Sequence, residues 1–82
     1  MSTQKLRVKS LSGQAKEAIL QYIEEMDLKT DNKLPREEAL AEMLGVSRIT
    51  IRQALNDLAA EGIIFRRQGR GTFVNVDSLN IK

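Results

Sequence analysis

LGVSRITIRQALNDLAAEG, residues 44–62, is the stretch on which the fold turns. Ile51, Ala54, Leu55 and Leu58 recur at helical spacing and share one face. Ser47 is a residue type that caps helix starts by accepting a bond from a free backbone N–H. Gly62 is the type that ends helices, because it takes the left-handed conformation without steric cost. The pattern predicts a helix from Arg48 to about Glu61. Its apolar stripe lies toward the C-terminal end. The first two turns, with Arg48, Ile49, Thr50, Arg52 and Gln53, carry little to bury and are free to touch something else.

Upstream, Gly45 is placed to stop an earlier helix, and only Val46 and Ser47 separate it from the next. That second helix is expected over 36–44, with Pro35 in its first turn and Leu40, Met43 and Leu44 turned inward. Two helices joined by a tight glycine-containing turn form a helix-turn-helix. LKTDNKLP, 28–35, breaks helical periodicity, and the residue before a proline is driven extended. A short strand is expected at Asn32–Leu34. A first helix is expected from Ser12, read as its cap, to about Asp27. Leu11, Ala15, Ile19, Tyr22, Ile23 and Met26 form its stripe, and Glu17, Glu24 and Glu25 its solvated face. Residues 1–9 read as a lead-in, with Leu6 and Val8 placed to pack back.

Downstream of Gly62 the period changes to about two. IIFRR (63–67) and TFVNV (72–76) are β-branched and aromatic, and QGRG between them is a turn, which makes a β-hairpin. Residues 77–82 read as a tail or the start of a linker. The expected fold is therefore mainly α with a small antiparallel β-wing: three helices, a short strand and a hairpin, a winged helix-turn-helix domain over 10–76.

At 82 residues the chain has room for one domain with a thin core and no deep ligand pocket. It contains no cysteine and no histidine. That removes disulfides, Cys/His zinc sites and histidine acid–base catalysis, and suits a reducing cytoplasm. Adjacent carboxylates such as Glu24–Glu25 or Glu37–Glu38 diverge on a helix and do not converge on a substrate, so no enzyme is expected. No segment reads as a signal peptide or approaches the ~20 apolar residues of a membrane span. The net charge of +2 is unevenly spread. Residues 1–47 hold seven basic and eight acidic residues, whereas 48–82 hold six and three. A localised basic surface is the footprint of a polyanion partner.

Double-stranded DNA fits that footprint. A helix enters the major groove, and its first turns reach base edges. Arg48 and Arg52 share a face, and either can fork onto guanine or clamp a phosphate. Gln53 suits an adenine edge, Thr50 a base or a phosphate, and Ile49 a thymine methyl, while Ser47 holds its own helix and a phosphate. The wing tip, Gln68-Gly69-Arg70-Gly71, is narrow enough for the minor groove. Arg66 and Arg67 point to opposite sides of their strand, and Arg67 is the one assigned to the interface. Such binding needs no cofactor. The alternative is a winged-helix module for protein or RNA. It would favour acidic patches on the third helix and a short uncharged wing, neither of which is present.

LPREEALAEMLGVSRITIRQALNDLAAEGIIFRRQGRGTFV, 34–74, resembles the DNA-binding domain of the GntR family of bacterial transcriptional regulators. The resemblance rests on the LP before helix two, LGVSR-x-T-[VI]-R-x-AL, the EG stop and RRQGRGTFV. It implies a winged helix that binds a palindromic operator as a homodimer. It also implies a C-terminal domain, absent from these residues, that dimerises and senses a small-molecule effector; the regulator is expected to be a repressor. The RRQGRGTFV ending is similar to the subfamily whose effector domain resembles a chorismate lyase fold. By the resemblance Ser47, Arg48, Thr50 and Arg52 fall on recognition-helix contacts, and Gln68, Gly69 and Arg70 on the wing tip. One departure stands out. The family pattern LPSERELA reads LPREEALA here, so Glu38 sits at the arginine's position and Arg36 at the serine's. The arginine's contact does not carry over to a carboxylate, and Arg36 is the candidate to replace it from a different angle.

Overall fold

A computed structural model describes residues 10–79. In chain order they form α1 (Leu11–Glu25), α2 (Glu37–Leu44), α3 (Arg48–Ala60), β1 (Ile64–Arg67), β2 (Gly71–Val74) and a single turn, α4 (Val76–Leu79). The expected lead-in, with Leu6 and Val8, and residues 80–82 of the expected tail lie outside the described residues.

α3 is the centre of the fold. Ile51, Ala54, Leu55 and Leu58 are all buried, as their spacing requires. They pack against Ala15, Ile19 and Ile23 of α1, Leu40 and Ala41 of α2, and Ile64 and Val74 at the wing base. Among the described residues no polar or charged residue is buried. Lys16 of α1 pairs with Glu61, the C-cap residue of α3, and pins the α1–α3 contact at its rim.

The turn between α2 and α3 works as the residue types predict. Gly45 adopts φ +71° and donates its N–H to the Ala41 carbonyl at 2.8 Å. Ser47 then caps α3. Its hydroxyl accepts from the Thr50 N–H at 3.1 Å and lies 2.9 Å from the Thr50 hydroxyl.

Several boundaries and two apolar positions differ from expectation, each for a physical reason. The cap of α1 is Ser10, whose hydroxyl accepts from the Gly13 N–H at 3.0 Å; Ser12 lies inside the helix, and the helix stops at Glu25. Pro35 precedes the α2 cap residue Arg36 instead of sitting in the first turn. There it keeps Leu34 extended, and the Leu34 N–H donates to the Thr72 carbonyl at 2.8 Å. Met43 is 53% exposed. The buried stripe of α2 runs through Leu40, Ala41 and Leu44, and at 3.6 residues per turn Met43 falls on the far side of Leu40 from Ala41. Leu11 is likewise exposed, because the core begins one turn further along at Ala15.

The wing is an antiparallel pair with Ile64 opposite Val74 and Arg67 opposite Gly71. The third strand shrinks to one bridge, Lys33 against Phe73, flanked by the Val74 N–H donating to the Asn32 carbonyl at 2.7 Å. β2 ends at Val74, not 76. Asn75 turns back, its backbone N–H donating to the Ile63 carbonyl and its side-chain amide to the Gly62 carbonyl, so Val76, expected in the strand, starts α4, which also takes in residues 77–79 of the expected tail.

Removing a helix N-cap hydroxyl costs roughly 0.5–2 kcal/mol. Ser10→Ala is therefore expected to lower stability in urea unfolding by about 1 kcal/mol, with Ser12→Ala within a few tenths of wild type. The reverse order would move the cap back to Ser12.

Candidate nucleic-acid interface

The N-terminal half of α3 projects its uncommitted side chains away from the core. Ile49 is 66% exposed, an unusual place for an isoleucine. Arg48, Arg52, Gln53 and Ser47 are exposed, and Thr50 is half-buried by its contact with Ser47. The wing leaves the core at Ile64 and Val74 and carries Gln68, Gly69 and Arg70 outward as its turn, closed by the Arg70 N–H on the Arg67 carbonyl at 2.9 Å.

Between the starts of α2 and α3 and the wing lies one open cleft of about 610 Å³. Arg36, Arg48, Arg67, Gln68, Gly69 and Arg70 line it together, from elements far apart in sequence. Ile49, Thr50, Arg52 and Gln53 are not among its lining residues; they occupy the neighbouring first two turns of α3. Arg36 is the N-cap residue of α2, and its side chain makes no capping bond.

The two faces of the wing do different things. Phe65 and Phe73, paired across the strands, stack with ring centroids 5.7 Å apart, and the Arg67 guanidinium lies over Phe65 at 5.5 Å. An exposed cation–π contact of this kind is worth about 0.5–1 kcal/mol. On the opposite face Arg66 donates to the Asn56 side chain of α3 at 2.6 Å. That bond couples the wing to the exposed side of α3. Both arginines nonetheless line the cleft.

Two features of the site were not anticipated. Lys33 lines the cleft, and its side chain lies across Gly71: a Cβ there would sit 2.9 Å from Lys33 Cε. Gly71 also has φ +123°, a second reason for glycine. The pairing of LP with the wing could have been the signal, since an extended Asn32–Leu34 needs a strand partner. The second feature is a pair of ion bridges from α2 to α3. Glu37 engages Arg52 through both oxygens, at 3.1 and 3.5 Å. Glu38 meets Arg48 at 3.5 Å. Only the packing of α2 on α3 brings these four residues together.

Among the described residues no group of acidic, histidine or cysteine side chains is arranged to hold a metal, and no helix is long and apolar enough to cross a membrane. The arrangement is one of convergent cations and exposed helix start, the means to hold a polyanion and read its edges.

Known proteins share this fold. Residues 11–74 match the family described as bacterial regulatory proteins, gntR family. The chain is 45% identical over 62 residues to the HTH-type transcriptional repressor NagR of Bacillus subtilis, covering 76% of this chain and 26% of that protein. It is 44% identical over 62 residues to the arabinose metabolism transcriptional repressor of Geobacillus stearothermophilus, covering 76% and 17%. These relatives are transcription regulators, not enzymes, and the chain spans about a quarter or less of their length. Its fold is similar to the AraR DNA-binding domain solved in complex with operator ORR3, with TM-score 0.71 and 40% identity over 82% of this chain and 81% of that one. It is also similar to the possible transcriptional regulator YydK of Bacillus subtilis, with TM-score 0.71 and 35% identity over 80% and 29%. The chain belongs to the GntR family of bacterial regulatory proteins and carries that family's winged helix-turn-helix DNA-binding domain.

Proposed function

We propose that the domain, residues 10–76, binds double-stranded DNA by sequence, with the first turns of α3 in the major groove and the wing tip in the adjacent minor groove. One observation carries this reading: the exposed start of α3 and the cationic wing open on the same side, around one cleft. The likeness to an operator-bound domain at 40% identity supports it. Arg48, Arg52, Gln53, Ile49 and Thr50 are the base-reading candidates. Ser47 and Arg36 hold phosphates at the starts of α3 and α2, where free N–H groups already favour anions. Arg36 takes the place of the arginine that Glu38 displaces. Gln68, Gly69 and Arg70 form the inserted tip, backed by Arg67.

The finer reading is a metabolite-responsive repressor acting in the cytoplasm on a palindromic operator. Its repressing relatives support this. Two copies of the domain are held as a homodimer by a separate effector domain, which also takes the small molecule. Linking two weak half-site binders raises affinity through effective concentration without new contacts.

Selection from random duplexes, followed by anisotropy titration of enriched and scrambled sequences, tests the reading. A recurrent half-site is expected; salt-sensitive binding with no preferred sequence contradicts it. On the selected duplex Arg52→Ala is expected to cost roughly 1–3 kcal/mol and to relax preference at one base pair. Equal loss on both duplexes would make Arg52 a phosphate contact. Arg70→Ala is expected to weaken selected and scrambled duplexes alike and to reduce the log–log salt slope by about 0.9. An unchanged slope would remove Arg70 from the DNA contacts.

A further inference from the structure

Two carboxylates stand among the cations of the cleft, and they are not equivalent. Glu37 is largely covered, its side chain 27% exposed, and braces Arg52 through two contacts. Glu38 is 69% exposed, opens into the cleft and meets Arg48 through one oxygen at 3.5 Å. A pair so exposed adds little to stability, so the fold does not explain it. Its position is costly for DNA binding. Lys33, Arg36, Arg66, Arg67 and Arg70 line the same cleft, and a carboxylate there repels phosphates and occupies a guanidinium that would neutralise one.

That cost differs between the two things Arg48 can touch. A phosphate clamped by Arg48 is brought beside the Glu38 carboxylate, and the two anions repel. A neutral guanine edge carries no such penalty. The guanidinium has five donors in a rigid fork; two meet guanine O6 and N7, and the remainder can stay on Glu38. We infer that Glu38 is a positioning residue that sets specificity: through the ion pair it aims Arg48 at a base edge and withholds it from phosphate. The inference rests on the sequence-reading function proposed above. It assigns a role to the position at which this chain departs from the family pattern.

The test compares wild type, Glu38→Gln and Glu24→Gln on the selected and scrambled duplexes at two salt concentrations fourfold apart. Glu24 is exposed on α1 beside a separate hollow lined by Met26, Leu28 and Lys29, so its variant removes the same charge elsewhere. Thermal melts check that each variant folds. On the scrambled duplex, Glu38→Gln is expected to tighten binding, about threefold more at the lower salt, the signature of about one added phosphate contact. The selected duplex gains less, so the ratio of the two affinities falls, while Glu24→Gln leaves it unchanged. In an Arg48→Ala background, Glu38→Gln is expected to leave the ratio unchanged, because relief of direct repulsion acts on both duplexes alike. A ratio that Glu38→Gln leaves at the wild-type value, or a change of ratio that persists without Arg48, overturns the role of Glu38 and leaves the function standing. A wild-type domain that selects no sequence overturns both.

Discussion

The burial of one stripe of α3 supports everything else in this domain. Ile51, Ala54, Leu55 and Leu58 occupy the centre of a core to which α1, α2 and the wing base each contribute. Fixing that stripe fixes the rotation of α3 about its axis. The opposite side, with Arg48, Ile49, Arg52 and Gln53, is then held outward by the same contacts that stabilise the chain. A domain within a chain of 82 residues has little apolar surface to spare. Committing its central helix half to the core and half to the surface is what makes so small a fold able to present a rigid reading edge.

The wing solves a second problem, that of holding a narrow cationic tip at a defined distance from α3. Its base is locked by Ile64 and Val74, and the Arg66–Asn56 bond ties its arm to the exposed side of α3. Lys33 closes its outer edge with a single bridge and lies over Gly71, where no side chain is in the way. The cations thus arrive from three parts of the chain: the segment before α2, the start of α3, and the wing. The wing is the most basic of them, with Arg66, Arg67 and Arg70 in five residues and no acid among them. Convergence adds Lys33, Arg36 and Arg48 to it.

Much of this was legible in the residues. The α3 stripe, the Ser47 cap, the Gly45 and Gly62 stops and the hairpin all follow from local signals that tertiary packing did not overrule. What escaped was decided by competition or by long-range contact. Ser10 and Ser12 are equally good caps by type, and only the bond to the Gly13 N–H distinguishes them. Met43 fits an apolar pattern, but the close approach of Ala41 rotates α2 and leaves Met43 outside. Lys33 and the Glu37–Arg52 and Glu38–Arg48 pairs depend on how separate elements pack, and no local spacing encodes them. Charge pairing across helices is the least readable layer, and here it lies at the candidate site.

One side of the molecule, the start of α3 with the wing, is the proposed DNA-binding surface. The most direct measurement is a titration of the 15N-labelled domain with a selected duplex, following each backbone amide by NMR. The largest shifts are expected at residues 47–53 and 67–71, with a smaller cluster near Lys33 and Arg36, and little change across α1 from Gln14 to Glu25. Shifts centred on α1, or on the C-terminal half of α3, would contradict it.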